Sequence, residues 1–155
     1  RTADILRPLG AALVPYYLLV AGYALAWGQI PWASVFLAGN LGFGDPVNHT
    51  MLPYLYWFVE AYAQLLLLAA AAFAIPAVRR AATTNPFHFG LAALAAAMAL
   101  RLAFPVLYPL AGRQIFSLPW VLPMATLGWC AATADTPRRR WLTLAAAAAT
   151  LPTLA

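Results

Sequence analysis

The apolar positions of this chain do not alternate or recur as the buried face of a soluble helix would; they fall into long unbroken runs. Leu9 to Trp27 carries no charge, Leu52 to Val78 carries only Glu60, Phe87 to Tyr108 only Arg101, and Pro119 to Ala134 and Trp141 to Ala155 none. A helix needs roughly 20 apolar residues to cross a bilayer. The runs therefore predict an all-α polytopic transmembrane bundle of about five spans, at about 8–28, 52–78, 87–108, 119–134 and 141–155. They are expected to form a single transmembrane domain over 1–155, itself a fragment of a larger membrane domain.

Prolines and arginines punctuate these runs. Pro8 suits the first turn of a helix, where a missing N–H is harmless, and Pro15 predicts a kink. Pro76 with Arg79-Arg80 is expected to terminate the second span and open a short polar loop to Pro86, with Asn85-Pro86 starting the third. Pro105 and Pro109 are expected to end that third span, Leu110 to Leu118 to connect tightly, and Pro123 to shorten or tilt the fourth. Between the first two spans, Gly28 to Leu52 is broken by Pro31, Gly39-Asn40, Gly42, Gly44-Asp45-Pro46 and Asn48-His49-Thr50. Trp32, Val35, Phe36 and Leu37 make it too apolar for a solvated linker. It is expected to lie at the membrane interface or fold back into the bundle, where irregular backbone is tolerated if protein or water satisfies it.

Composition agrees with a lipid environment: 65% of the residues are hydrophobic and 8% charged, against about 25% charged in soluble domains. The net charge of +5 comes from arginine alone among the basic residues. Those arginines sit between the apolar runs, which argues against nucleic acid and for loop asymmetry. With Arg79-Arg80 and Arg138 to Arg140 cytoplasmic, the spans alternate without conflict, and the expected location is a bacterial cytoplasmic membrane. The triplet Arg138 to Arg140 is a topology signal that could also hold anionic lipid or a phosphate-bearing donor. The lone Cys130 excludes an intrachain disulfide and a thiolate metal cluster and reads as a small buried hydrophobe. Tyr16, Tyr17 and Tyr23 are expected to meet headgroups or neighbouring helices.

Candidate chemistry centres on Glu60, because a carboxylate inside a membrane segment costs several kcal/mol unless it faces a partner or a water-filled cavity. Tyr56, Glu60 and Gln64 recur every four residues and share one helix stripe, with Trp57 and Ala61 beside it. Arg101 lies at a similar expected depth in the next span and is the candidate partner of Glu60. His49, four residues after Asp45, is a candidate general base if its loop covers the cavity. His88 reads as interfacial. No metal site is expected, since two isolated histidines cannot form one. Asn48-His49-Thr50 matches a glycosylation acceptor, a tripeptide frequent by chance.

Leu52-Pro53-Tyr54-Leu55-Tyr56-Trp57-Phe58-Val59-Glu60, followed by Gln64, a Leu/Ala run, Pro76 and Arg79-Arg80, resembles the central helix of the acyltransferase-3 family of membrane O-acyltransferases. The resemblance covers about the first half of the chain. It implies transfer of an acyl group from a thioester such as acyl-CoA, as co-substrate and with no bound cofactor, to a hydroxyl of a sugar, glycan or lipid. It also implies that Trp57, Phe58 and Glu60 line a substrate cavity, which Gln64 on the same stripe and Arg101 as candidate partner are expected to share, with the catalytic histidine of the family upstream of this fragment. The expected partners are the bilayer, the remaining spans, the acyl donor and the hydroxyl acceptor. The alternative is a transporter or flippase section in which Glu60 and Arg101 line a substrate or proton path.

Overall fold

The protein is described here by a computed structural model covering residues 2–41, 56–107 and 117–150. All the regular structure among these residues is helical. Three helices are long and apolar enough to cross a membrane, a pattern compatible with an integral membrane protein. Contacts divide the chain into two compact units, one built from residues 1–74 with 110–118 and one from 75–109 with 119–155.

In the first unit, α1 (Thr2–Trp27) is continuous through both Pro8 and Pro15. The expected helix start at Pro8 is therefore too late: the lead containing Asp4 and Arg7 belongs to the helix, with Asp4 in its first turn, where a negative charge suits the helix dipole. Val14 and Leu18 are exposed, while Tyr16 and Val20 are buried on one line four residues apart. That line packs against α3 (Trp57–Ala74).

Between these helices the chain makes a compact fold of its own. A one-turn helix, α2 (Trp32–Val35), leads through Leu37, whose φ is 55°, into a 3-10 turn at Gly39–Leu41. Both pack on the long helices. Residues 28–41 thus fold back onto the helices, one of the two arrangements the sequence allowed. Their apolar side chains Ile30, Trp32 and Phe36 stay exposed beside Trp27 at the end of α1, in keeping with an aromatic belt at a membrane–water interface. The rest of the loop, with Asp45, the Asn48-His49-Thr50 tripeptide and the first residues of the Leu52 to Glu60 motif, lies outside the described residues, as does the 108–116 connection with Arg113.

The second expected span is shorter than its apolar run. α3 ends at Ala74, and Ile75 takes an extended conformation (φ −75°, ψ 117°) before Pro76 opens a separate helix, α4 (Pro76–Thr84). A residue preceding proline is pushed out of the α region by the proline ring. Pro76 itself, with no N–H to satisfy, then starts the new helix. Arg79 and Arg80, expected in a loop, lie on α4. The Thr83 hydroxyl bonds back to the Arg79 and Arg80 carbonyls at 3.0 and 3.1 Å.

α5 (Pro86–Leu107) follows as expected and runs through Pro105. Its start is organised by Asn85, whose carbonyl accepts the Phe89 N–H at 3.0 Å and whose side chain meets the exposed His88 ring at 2.8 Å. The buried positions Phe87, Gly90, Leu94, Ala97 and Arg101 advance by three and four residues, one stripe of an α-helix. That stripe packs antiparallel on α6 (Leu118–Thr133): Trp129 Nε1 donates to the Pro86 carbonyl at 2.8 Å, while Arg101, fifteen residues further along α5, meets Trp120 at the opposite end of α6. A Cβ on Gly90 would come within 2.6 Å of Trp129 and 3.0 Å of Cys130, so glycine permits this approach. Cys130 is buried with Phe87 and Ala134, as a small core hydrophobe. α7 (Pro137–Thr150) closes the unit, its first turn tied by an Arg139–Asp135 ion pair of 2.6 Å. α6 and α7 have 16 and 14 residues, shorter than a full crossing.

Candidate functional site

The polar stripe of α3 is occupied by backbone. Glu60 falls in the first turn of α3 and is 1% exposed, a position where the helix dipole favours its charge. Its Oε1 accepts the Tyr16 hydroxyl of α1, and its Oε2 accepts the Asn40 backbone N–H at 2.5 Å. The Ser34 hydroxyl is a third donor. An ionised carboxylate is acceptor-only with about four lone-pair sites, so three donors from α1, α2 and the 3-10 turn satisfy most of its capacity without a cation.

One helical turn further, Gln64 completes the same contact. Its Nε2 donates to the Leu37 carbonyl at 2.6 Å and to Asn40 Oδ1 at 2.8 Å, while Asn40 Nδ2 donates back to Gln64 Oε1 at 3.3 Å. The two amides are thus reciprocal. The left-handed Leu37 gains its explanation here: such a φ costs a non-glycine residue about 1–3 kcal/mol, and it presents a carbonyl that Gln64 takes. The α1 side adds one more tie, Tyr17 Oη to the Val35 carbonyl at 2.9 Å, while Tyr16 Oη also lies 3.0 Å from the Ser34 carbonyl, an alternative acceptor for its one proton.

Gly39 sits between these groups. A Cβ there would lie 2.8 Å from Ser34 Oγ and 2.9 and 3.2 Å from the two Glu60 oxygens. The carboxylate therefore approaches the backbone so closely that only glycine fits.

The remaining sequence candidates separate. Trp57 is half-buried. Phe58, two residues before Glu60 and so about 200° round the helix, is 53% exposed. The two rings meet edge to face at 6.5 Å. Arg101 belongs to the second unit, 3% exposed, with its guanidinium 3.6 Å from the centroid of the Trp120 ring, a cation–π stack. Glu60 is the fourth residue of α3, and Arg101 lies six residues before the last residue of α5. His49, the candidate base, is outside the described residues. No group of three or more metal-ligating side chains occurs among the described residues.

Sequence reasoning found Glu60 and Gln64 and missed Tyr16, Ser34, Gly39 and Asn40 as their partners. The available signals were the Tyr16-Tyr17 pair in the middle of an apolar run and the Gly39-Asn40 dipeptide, a small residue beside an amide that can answer Gln64. What this arrangement does chemically is hold an irregular segment of backbone against two membrane helices through a buried carboxylate and an amide pair. No known family model, curated protein or solved structure matches the chain.

Proposed function

We propose that this chain is a section of a membrane-embedded O-acyltransferase resembling the acyltransferase-3 family, in which Glu60 positions a folded-back loop at the edge of the substrate cavity. The observation that carries the reading is the fixed carboxylate itself: Glu60 lies in the motif Trp57-Phe58-Val59-Glu60 and holds the backbone of residues 34–40. Irregular backbone at membrane depth is kept where it is buried in protein or lines a cavity, and loops braced on rigid helices are where reacting groups are carried. Three donors on Glu60 favour a carboxylate that stays in place over one that exchanges partners during transport, which sets the transferase reading ahead of the transporter reading.

In this reaction a histidine, with His49 the candidate within this chain, removes the proton of an acceptor hydroxyl. The resulting oxygen attacks the thioester carbonyl, the tetrahedral intermediate collapses, and the thiolate leaves and takes up the proton. The acyl donor is a thioester such as acyl-CoA and the acceptor a sugar, glycan or lipid hydroxyl. In this reading α6 and α7 act as a fourth and fifth membrane segment, and α4 with Arg79-Arg80 and the first turn of α7 with Arg138 to Arg140 face the cytoplasm of a bacterial cell.

The experiment follows thiol release from acyl-CoA by the full-length protein in membranes. Glu60→Gln is expected to lower transfer per folded molecule by about ten- to a hundredfold, the effect of a misplacement of about 1 Å in a positioning element. His49→Ala decides between His49 and a histidine upstream of this fragment as the base: loss of transfer assigns the role to His49 and retained transfer to the upstream residue. Wild-type turnover in Glu60→Gln would refute the reading.

A further inference from the structure

We propose that the end of the second unit formed by α4 and the start of α7 binds the headgroups of anionic lipids, with α4 lying in the membrane interface. On a helix advancing 100° per residue, Arg79, Arg80, Thr83 and Thr84 of α4 fall on one arc and Ala77, Val78, Ala81 and Ala82 on the opposite one. Only Ala82 is buried, Val78 is half-buried, and Ala77 and Ala81 are exposed. The polar arc also leaves its cations available, because the Thr83 hydroxyl turns back to its own helix carbonyls.

A second group of arginines stands at the same end of α5. The Arg139 guanidinium is 5.3 Å from the centroid of the Phe87 ring, and Phe87 is the second residue of α5, just beyond the end of α4. Arg138 and Arg140 flank it and are exposed, and the following Trp141 is 72% exposed. The sequence of this unit holds a single acidic residue, Asp135, and it is engaged by Arg139. Arg79, Arg80, Arg138 and Arg140 therefore form an uncompensated cationic rim where a membrane-length helix ends, beside an apolar helix face and an interfacial tryptophan. A phospholipid offers phosphate and hydrocarbon together and fits both features, whereas a soluble phosphate fits only the first.

The test uses the whole chain in nanodiscs of phosphatidylcholine with a minor share of phosphatidylglycerol, and reads the lipid retained on extraction by native mass spectrometry. Phosphatidylglycerol is expected to be enriched over its bulk share, and Arg79→Gln with Arg80→Gln, or Arg138→Gln with Arg140→Gln, to reduce that enrichment by about fivefold or more, given the attraction of roughly fivefold in partition per surface arginine. Arg79→Lys with Arg80→Lys keeps the charge and is expected to keep the enrichment, which separates headgroup attraction from damage to the fold. A retained lipid ratio equal to the bulk, or full enrichment in the glutamine variants, would overturn the proposal. So would displacement of phosphatidylglycerol by equimolar inorganic phosphate or coenzyme A, which would reassign the rim to a soluble anion.

Discussion

Replacing Glu60 by alanine removes the acceptor for three buried donors at once. The structure sets how much each matters. Tyr16 Oη already lies 3.0 Å from the Ser34 carbonyl and can turn its proton there. The Asn40 N–H is a backbone donor whose direction is set by the 3-10 turn, and it points at Glu60 Oε2. An orphaned buried donor costs about 1–3 kcal/mol, and bonds to a charged acceptor are the stronger kind. Glu60→Ala is therefore expected to loosen the 34–41 segment by about 2–4 kcal/mol. Glu60→Gln keeps one acceptor oxygen and is expected to cost about half of that. Hydrogen exchange read by mass spectrometry in detergent or nanodiscs measures this directly, since about 1.4 kcal/mol corresponds to tenfold in an opening equilibrium. The peptide containing Asn40 should exchange roughly 30- to 700-fold faster in the alanine variant, with the glutamine variant between it and wild type. Unchanged protection of residues 34–41 in Glu60→Ala would show that the loop is held by apolar packing and that the carboxylate is incidental.

Two further outcomes follow from the glycines. Gly39→Ala places a methyl against Ser34 Oγ and the Glu60 carboxylate and is expected to destabilise the first unit by about 1–3 kcal/mol; in a Glu60→Ala background the part of that penalty due to the carboxylate should vanish, so a double-mutant cycle by chemical denaturation that gives additive effects would refute the contact. Gly90→Ala is expected to force Trp129 aside at a similar cost and to weaken the Trp129–Pro86 hydrogen bond, which indole fluorescence reads as a shifted emission; an unshifted spectrum with full stability would show that α5 and α6 do not approach as closely as described.

The sequence disclosed the helical elements because they need only composition: a run without charges cannot be anything else in lipid, and α1, α3 and α5 lie on the three longest runs. It disclosed Glu60 and Gln64 for the same reason, since polar groups four residues apart on a Leu/Ala helix stand out. Their partners were hidden because they sit 20 to 44 residues away, on a segment whose conformation depends on one left-handed leucine that no local rule specifies. The break at Ile75 was legible in principle. The clash that proline imposes on its predecessor is local, but the apolar run continued to Val78 and masked it. Pro15 shows the opposite case, a proline inside an apolar run through which α1 continues as one helix.

The Ile75–Pro76 break also fixes a length. An 18-residue helix rises about 27 Å, close to the 30 Å of a typical hydrocarbon core, while the 26 residues of α1 rise about 39 Å. α1 can meet bilayers of different thickness by changing its inclination. α3 cannot lengthen by recruiting the residues beyond Ala74, because they are committed to another helix axis. A bilayer crossed by α3 would have to match the helix at that end by thinning around it.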